Sequence, residues 1–103
     1  MPEFQRVATV SEIPPGEMKT VEVNGEEVVI ANCDGEFVAF NNVCTHKGGP
    51  LGEGLLLDGC VIECPFHGGQ FNTKTGEVVA APPQLPVATY PVQVDGDEIS
   101  VAV

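Results

Sequence analysis

The sequence predicts an all-β domain, a small antiparallel sandwich or barrel of hairpins with a set of irregular loops inserted into it. Turn dipeptides punctuate the chain at Asn24-Gly25, Asp34-Gly35, Asp58-Gly59, Thr75-Gly76 and Asp95-Gly96, and Asn-Gly and Asp-Gly supply the positive φ angles that tight hairpins need. Short β-branched or alternating runs lie between these turns. No stretch holds an apolar period of about 3.6 residues over the length of an ordinary helix.

In chain order, the first helix-like start, Ser11-Glu12-Ile13, is stopped at once by Pro14-Pro15, because proline lacks the N–H a helix interior needs. Strands are predicted over Lys19–Val23, Glu27–Cys33 and Glu36–Phe40. From Asn41 to Gly54 the alternation fades, and Gly48-Gly49-Pro50 with Gly52 marks an irregular loop. A strand over Cys60–Glu63 follows, then a second irregular run from Pro65 to Gln70. The third, Ala80 to Pro86, is proline-rich, and strands over Ala88–Val94 and Glu98–Val103 close the chain.

The 103 residues are expected to form one domain, residues 1–103, since that length leaves no room for a second independent core. Asp and Glu number 15 against 4 Lys and Arg, a net charge of −11. Such a chain repels phosphate backbones and lacks the cations that nucleic-acid binders use, so nucleic acid is excluded as a partner. The same balance argues against an anionic membrane surface, and no apolar run reaches the roughly 20 residues of a spanning helix. The start, Met1-Pro2-Glu3-Phe4-Gln5-Arg6, has neither a cationic leader nor an apolar signal segment, so a cytoplasmic protein is expected, and a monomer.

Both histidines of the chain lie in the first two irregular loops, each close behind a cysteine: Cys44-Thr45-His46, then Cys64-Pro65-Phe66-His67. Two incidental pairs are an implausible accident in so histidine-poor a chain, and a metal site is the sharper reading. Two thiolates and two imidazoles suit either tetrahedral zinc, as in a Cys2His2 binding module, or an iron–sulfur cluster with mixed ligation. The single residue between Cys44 and His46 is shorter than the usual zinc ligand spacing, which favours iron–sulfur.

The full pattern is Cys44-x-His46, seventeen residues, then Cys64-x-x-His67. It is embedded in Cys44-Thr45-His46-Lys47-Gly48-Gly49-Pro50-Leu51 and Cys64-Pro65-Phe66-His67-Gly68-Gly69-Gln70-Phe71. It resembles the Rieske [2Fe-2S] proteins, and the length is similar to that of the free Rieske-type ferredoxins that feed electrons to bacterial ring-hydroxylating dioxygenases. The resemblance implies one [2Fe-2S] cluster, with Cys44 and Cys64 on one iron and His46 and His67 on the other. It implies the Rieske fold, with a cluster-binding subdomain at about residues 42–72. It also implies a one-electron carrier, not an enzyme, between a flavin-containing ferredoxin reductase and a terminal Rieske non-haem iron oxygenase of aromatic hydrocarbon catabolism. A Rieske ferredoxin or small subunit of another cytoplasmic system, of the diiron monooxygenase or nitrite reductase type, is the alternative.

Neutral imidazoles in place of two thiolates make the oxidised cluster neutral instead of dianionic, which eases the uptake of an electron. High-potential Rieske proteins also carry a disulfide between the two loops and hydroxyl donors to the cluster sulfurs. Here the corresponding positions are Gly49 and Phe66, and Gly69 and Phe71. Without those donors a potential near the low end of the Rieske range, about −150 mV, is expected. The docking tip would comprise residues 46–51 and 66–70 beside Pro82 and Pro83, with one cation, Lys47, and no acid. Residues 1–43 carry −6, residues 44–70 carry −2 and residues 71–103 carry −3, so most of the acid lies away from that tip.

No third histidine remains for a mononuclear oxygen-activating iron, and no Gly-x-Gly-x-x-Gly marks a nucleotide site. Cys33 and Cys60 read as small core-filling residues, and a reducing cytoplasm argues against a disulfide between them.

Overall fold

The computed structural model describes residues 4–43, 45, 50–65, 68–80 and 85–102. Its longest strands form where β-branched residues crowd between two Asx-Gly turns. β2 (Met18–Val23), β3 (Glu26–Cys33) and β4 (Glu36–Asn41) are joined by Asn24-Gly25 and Asp34-Gly35. All four turn residues have positive φ, 52° and 83° in the first turn and 58° and 99° in the second, the backbone whose twist matches that of the strands it joins. Register is unbroken, from Met18 opposite Ala31 to Val23 opposite Glu26, and from Val28 opposite Asn41 to Cys33 opposite Glu36.

This antiparallel sheet, completed by β9 (Thr89–Tyr90) in the order β2-β3-β4-β9, is the middle layer. On β3, Val28 and Ile30 pack with Ala8, Ile13, Ile99 and Val101 on one side. Val29 and Ala31 pack with Leu51, Ile62, Cys64 and Phe71 on the other. Because successive side chains of a strand point to opposite faces, the buried run Val28–Asn32 serves two cores at once. That explains a continuous apolar stretch where a half-exposed strand would alternate.

One outer layer is the sheet β1-β11-β10, built from β1 (Phe4–Thr9), β10 (Val92–Asp95) and β11 (Glu98–Ala102). The other is β5-β6-β7-β8, from β5 (Leu55–Leu57), β6 (Val61–Glu63), β7 (Gln70–Asn72) and β8 (Val78–Ala80). All pairings are antiparallel. Among the described residues there is no α-helix and none long and apolar enough to cross a membrane; 3₁₀ turns occupy Val10–Glu12 and Leu51–Glu53.

The all-β class holds, with three local differences. The expected strand Ala88–Val94 is divided at Pro91, whose missing N–H cannot serve a ladder, and its halves β9 and β10 enter different sheets. The strand expected from Cys60 begins at Val61, because Cys60 itself has φ 64° and ends a three-residue turn. Strands β1, β5, β7 and β8 lie in stretches for which no strand was expected. Val103 falls outside the described residues.

Candidate metal centre

Of the four expected ligands, Cys44, His46 and His67 lie outside the described residues, as do Lys47, Gly48, Gly49, Phe66, Pro82 and Pro83 of the expected tip. The described frame shows how the sequence positions the loops that carry them. β4 delivers the first loop at Asn41, whose side chain accepts from the Val43 N–H at 2.8 Å. Asn42 then acts as a buried anchor. Its N–H donates to the Glu27 carbonyl at 2.9 Å, its carbonyl accepts from the Leu51 N–H at 2.7 Å, and its Oδ1 accepts from the Gly52 N–H at 2.7 Å. An isolated bridge between Val43 and Pro50 closes the neck of the loop. A short polar residue with bonds on three sides has no apolar equivalent, since each group left unpaired in a buried site costs about 1–3 kcal/mol.

The second loop springs from β6 and returns through β7. Cys64, 2% exposed, follows Glu63 directly, and its N–H donates to the Gly69 carbonyl at 2.7 Å, which draws the loop into a tight circuit. Gly68 takes φ 70° on the return, a conformation that suits glycine. The third irregular run is tied to the first loop and, just past its end, to the β7–β8 turn. Thr45, between Cys44 and His46, donates its hydroxyl to the Leu85 carbonyl at 2.7 Å. Beyond it, Val87 N–H donates to the Gly76 carbonyl at 2.9 Å, in the turn between β7 and β8.

Leu51 from the neck of the first loop and Cys64 from the mouth of the second belong to one buried cluster with Ile62, Phe71 and Val87. Two loops that each carry a Cys/His pair therefore rise from a shared apolar floor. A buried thiol beside fully buried Leu51 and Phe71 is suited to a group whose sulfides must be shielded from water, and the donor set of two thiols and two imidazoles suits mixed ligation of two irons. Phe71 is where a hydroxyl donor would stand in a high-potential relative; here it is entirely apolar packing.

Asn42, Thr45, Gly54 and Gly76 were not singled out from the sequence as parts of this frame. Gly54 lies so close to the Glu63 carbonyl, and Gly76 to the Val87 carbonyl, that a Cβ on either would overlap backbone oxygen. Gly54 at the end of the first irregular run and Gly76 in the Thr75-Gly76 turn were the available signals. The reading of Cys33 and Cys60 is corrected: they are joined by a disulfide, with Cα atoms 5.5 Å apart, a separation typical of such bonds. Cys60 still packs in the core as expected, 5% exposed, but the hairpin turns at Asp34-Gly35 and Asp58-Gly59 bring the two sulfurs together across the layers.

A family model described as the Rieske [2Fe-2S] domain matches residues 3–91. The chain is 42% identical over 98 residues to the biphenyl dioxygenase ferredoxin subunit of Pseudomonas sp. (strain KKS102), a match covering 95% of this chain and 90% of that protein. It superposes on the ferredoxin of carbazole 1,9a-dioxygenase from Nocardioides aromaticivorans IC177 with a TM-score of 0.92 at 39% identity, over 96% of each chain. A second solved structure, a complex of reduced oxygenase and oxidised ferredoxin in carbazole 1,9a-dioxygenase, matches with a TM-score of 0.90 at 37% identity, over 96% of this chain and 92% of that one.

Proposed function

The chain belongs to the Rieske [2Fe-2S] family, and from that premise we propose that Cys44, His46, Cys64 and His67 hold its cluster and that it passes single electrons from a flavin-dependent NAD(P)H reductase to a terminal ring-hydroxylating oxygenase. The cofactor is one Rieske-type [2Fe-2S] cluster, which supplies a one-electron couple when bound. The protein is a ferredoxin, an electron carrier and not a catalyst. Its own residues shield and position: Leu51, Ile62 and Phe71 form the dry floor, Asn42 and Thr45 fix the first loop, and the Cys64–Gly69 bond fixes the second.

The observation that carries the reading is the junction of the two loop necks on one buried cluster, with Cys64 among its members. The ferredoxin bound to its oxygenase in the carbazole 1,9a-dioxygenase complex supports the terminal step. The net charge of −11 supports steering toward a basic rim on a partner, with encounter rates that fall as salt rises. The domain comprises residues 1–103 with a cluster-binding subdomain near residues 42–72, and acts in the cytoplasm as a monomer.

Anaerobic mixing tests the sequence of transfers. NADH with a flavin reductase should bleach the visible absorbance of the chain, and a substrate-loaded oxygenase should restore it. Bleaching without reoxidation by any ring-hydroxylating oxygenase would overturn the terminal step, and a colourless protein would overturn the ligand assignment.

A further inference from the structure

We propose that the Cys33–Cys60 pair is a thiol–disulfide switch that clamps the cluster-bearing sheet to the middle sheet and that a dithiol reductant opens to loosen the cluster. The bond joins the end of β3 to the turn before β6, 27 residues apart in sequence. β6, Val61–Glu63, leads directly into Cys64, so the clamp sits four positions before a proposed ligand. Its local backbone is held in an unfavourable state: Cys60 has φ 64°, directly after Gly59 at φ 79°, a region that β-carbon-bearing residues rarely adopt. Within the cluster-bearing sheet Thr73 steadies the same turn, donating its hydroxyl to the Cys60 carbonyl at 2.6 Å and its N–H to the same oxygen at 2.9 Å. Its hydroxyl also lies 3.8 Å from the Cys33 sulfur.

The pair is reachable. A cleft of about 800 Å³ opens between the two sheets, and Cys33, Cys60, Asn32, Leu56, Asp58 and Lys74 are among its lining residues. Cys33 is only partly buried, whereas Cys60 is 5% exposed. A thiolate entering the cleft attacks the Cys33 sulfur, the Cys33–Cys60 bond breaks and Cys60 leaves as a thiolate that takes up a proton. The second thiol of the reductant then attacks its own sulfur in the mixed disulfide and releases Cys33. Two electrons and two protons pass to the chain, and the reductant leaves as a disulfide.

The inference rests on the cytoplasmic reading, because disulfides in that compartment are mostly transient or redox-sensing. Its effect on the cluster rests on Cys64 as a ligand. The test uses the cluster-loaded protein, incubated anaerobically with or without dithiothreitol, alkylated and mapped by mass spectrometry, while loss of visible absorbance to an iron chelator is followed. Without reductant Cys33 and Cys60 should be linked and unlabelled. With it both should be labelled without denaturant, cluster loss should accelerate severalfold, and Tm should fall by roughly 10–20 °C as the constraint on a long loop is removed. Cys33→Ser/Cys60→Ser protein should lose its cluster at the fast rate whether or not dithiothreitol is present, which separates the switch from direct attack on iron. If that variant does not accumulate, a water-soluble phosphine replaces the dithiol in the wild-type experiment. A bond that resists reduction until the protein is denatured, or equal cluster loss from bridged and opened protein, overturns the proposal. Labelling reads the thiols alone, so a failure of the ligand assignment would appear separately, as a protein without cluster absorbance.

Discussion

The two four-stranded sheets share a core but are held by different means. The middle sheet has three strands of six to eight residues in unbroken register, and its turns supply their own positive φ angles. In the sheet β5-β6-β7-β8 every strand is three residues long. A ladder that short contributes few hydrogen bonds and little apolar area. It is fixed from outside by the Cys33–Cys60 bond and the approach of Gly76 to Val87, and from within by the Thr73 bonds to the Cys60 carbonyl. A cluster bound at its loops is a further tie of this kind, since binding free energy available only to the folded state is folding free energy. The middle sheet is the scaffold and the outer one is a holder, assembled by cross-links.

Removing a ligand should break this comparison most severely. Cys64→Ser protein is expected to lack the cluster and to lose hydrogen-exchange protection across β5–β8, while β2–β4 remain protected. Uniform loss across both sheets would show that the two are one cooperative unit.

Equal truncations sharpen the contrast next. Ile30 and Ile62 are both fully buried, the first packed toward the outer sheet of β1 and the second under the cluster loops. Each change to alanine costs about 2–5 kcal/mol. Ile30→Ala should appear chiefly as a lower midpoint in urea for the whole protein, and Ile62→Ala chiefly as faster cluster loss to a chelator. The reverse pattern would contradict the division of roles.

A smaller comparison uses two glycines of nearly equal φ, Gly25 at 83° and Gly76 at 84°. Nothing lies within 4 Å of a Cβ built on Gly25, whereas one on Gly76 meets the Val87 carbonyl. Gly25→Ala should cost about 1 kcal/mol, the left-handed penalty alone. Gly76→Ala should cost roughly 2–4 kcal/mol, because overpacking is added. Denaturant unfolding measures both.

Acid should act on the scaffold by the smallest amount. Lys19 donates to the Glu12 carboxylate, and the Thr9 N–H donates to it at 2.9 Å. These bonds, the Lys19 one foremost, draw its pKa from 4.5 down to about 2. A depressed carboxyl pKa means stability that is present above the unfolded value and is lost as pH falls from about 4.5 toward 2. Glu12→Gln should flatten the acid limb of a Tm-against-pH curve in that window. An unaltered limb would remove Glu12 as a contributor. The pair is solvent-exposed, so salt should shrink the difference.

What could be read from the sequence follows the range of the physics involved. The hairpins β2–β3 and β3–β4 were legible because two residues, Asn24-Gly25 or Asp34-Gly35, specify a turn locally. The Cys/His pattern was legible because its four members sit in two short segments of linear sequence. The strands β5, β7 and β8 were not, since three residues are too few to display a period of two. Pro91 was available as a breaker but was absorbed into a longer alternating run. The Cys33–Cys60 bond depends on β3 ending over the turn that precedes β6, a relation between layers that neither segment carries alone. Asn42 looked like one more loop residue until its bonds to Glu27, Leu51 and Gly52 showed it to be the hinge-pin of the first loop.

The most direct measurement is pulsed EPR of the dithionite-reduced protein, together with iron and acid-labile sulfide analysis, on wild type and on His46 and His67 variants. The expected result is equal iron and sulfide, a reduced-cluster signal coupled to nitrogen from two imidazoles, and loss or alteration of that coupling when either histidine is replaced. Bound zinc without labile sulfide, or a cluster signal free of histidine nitrogen coupling, would contradict the assignment of Cys44, His46, Cys64 and His67 as the ligand set.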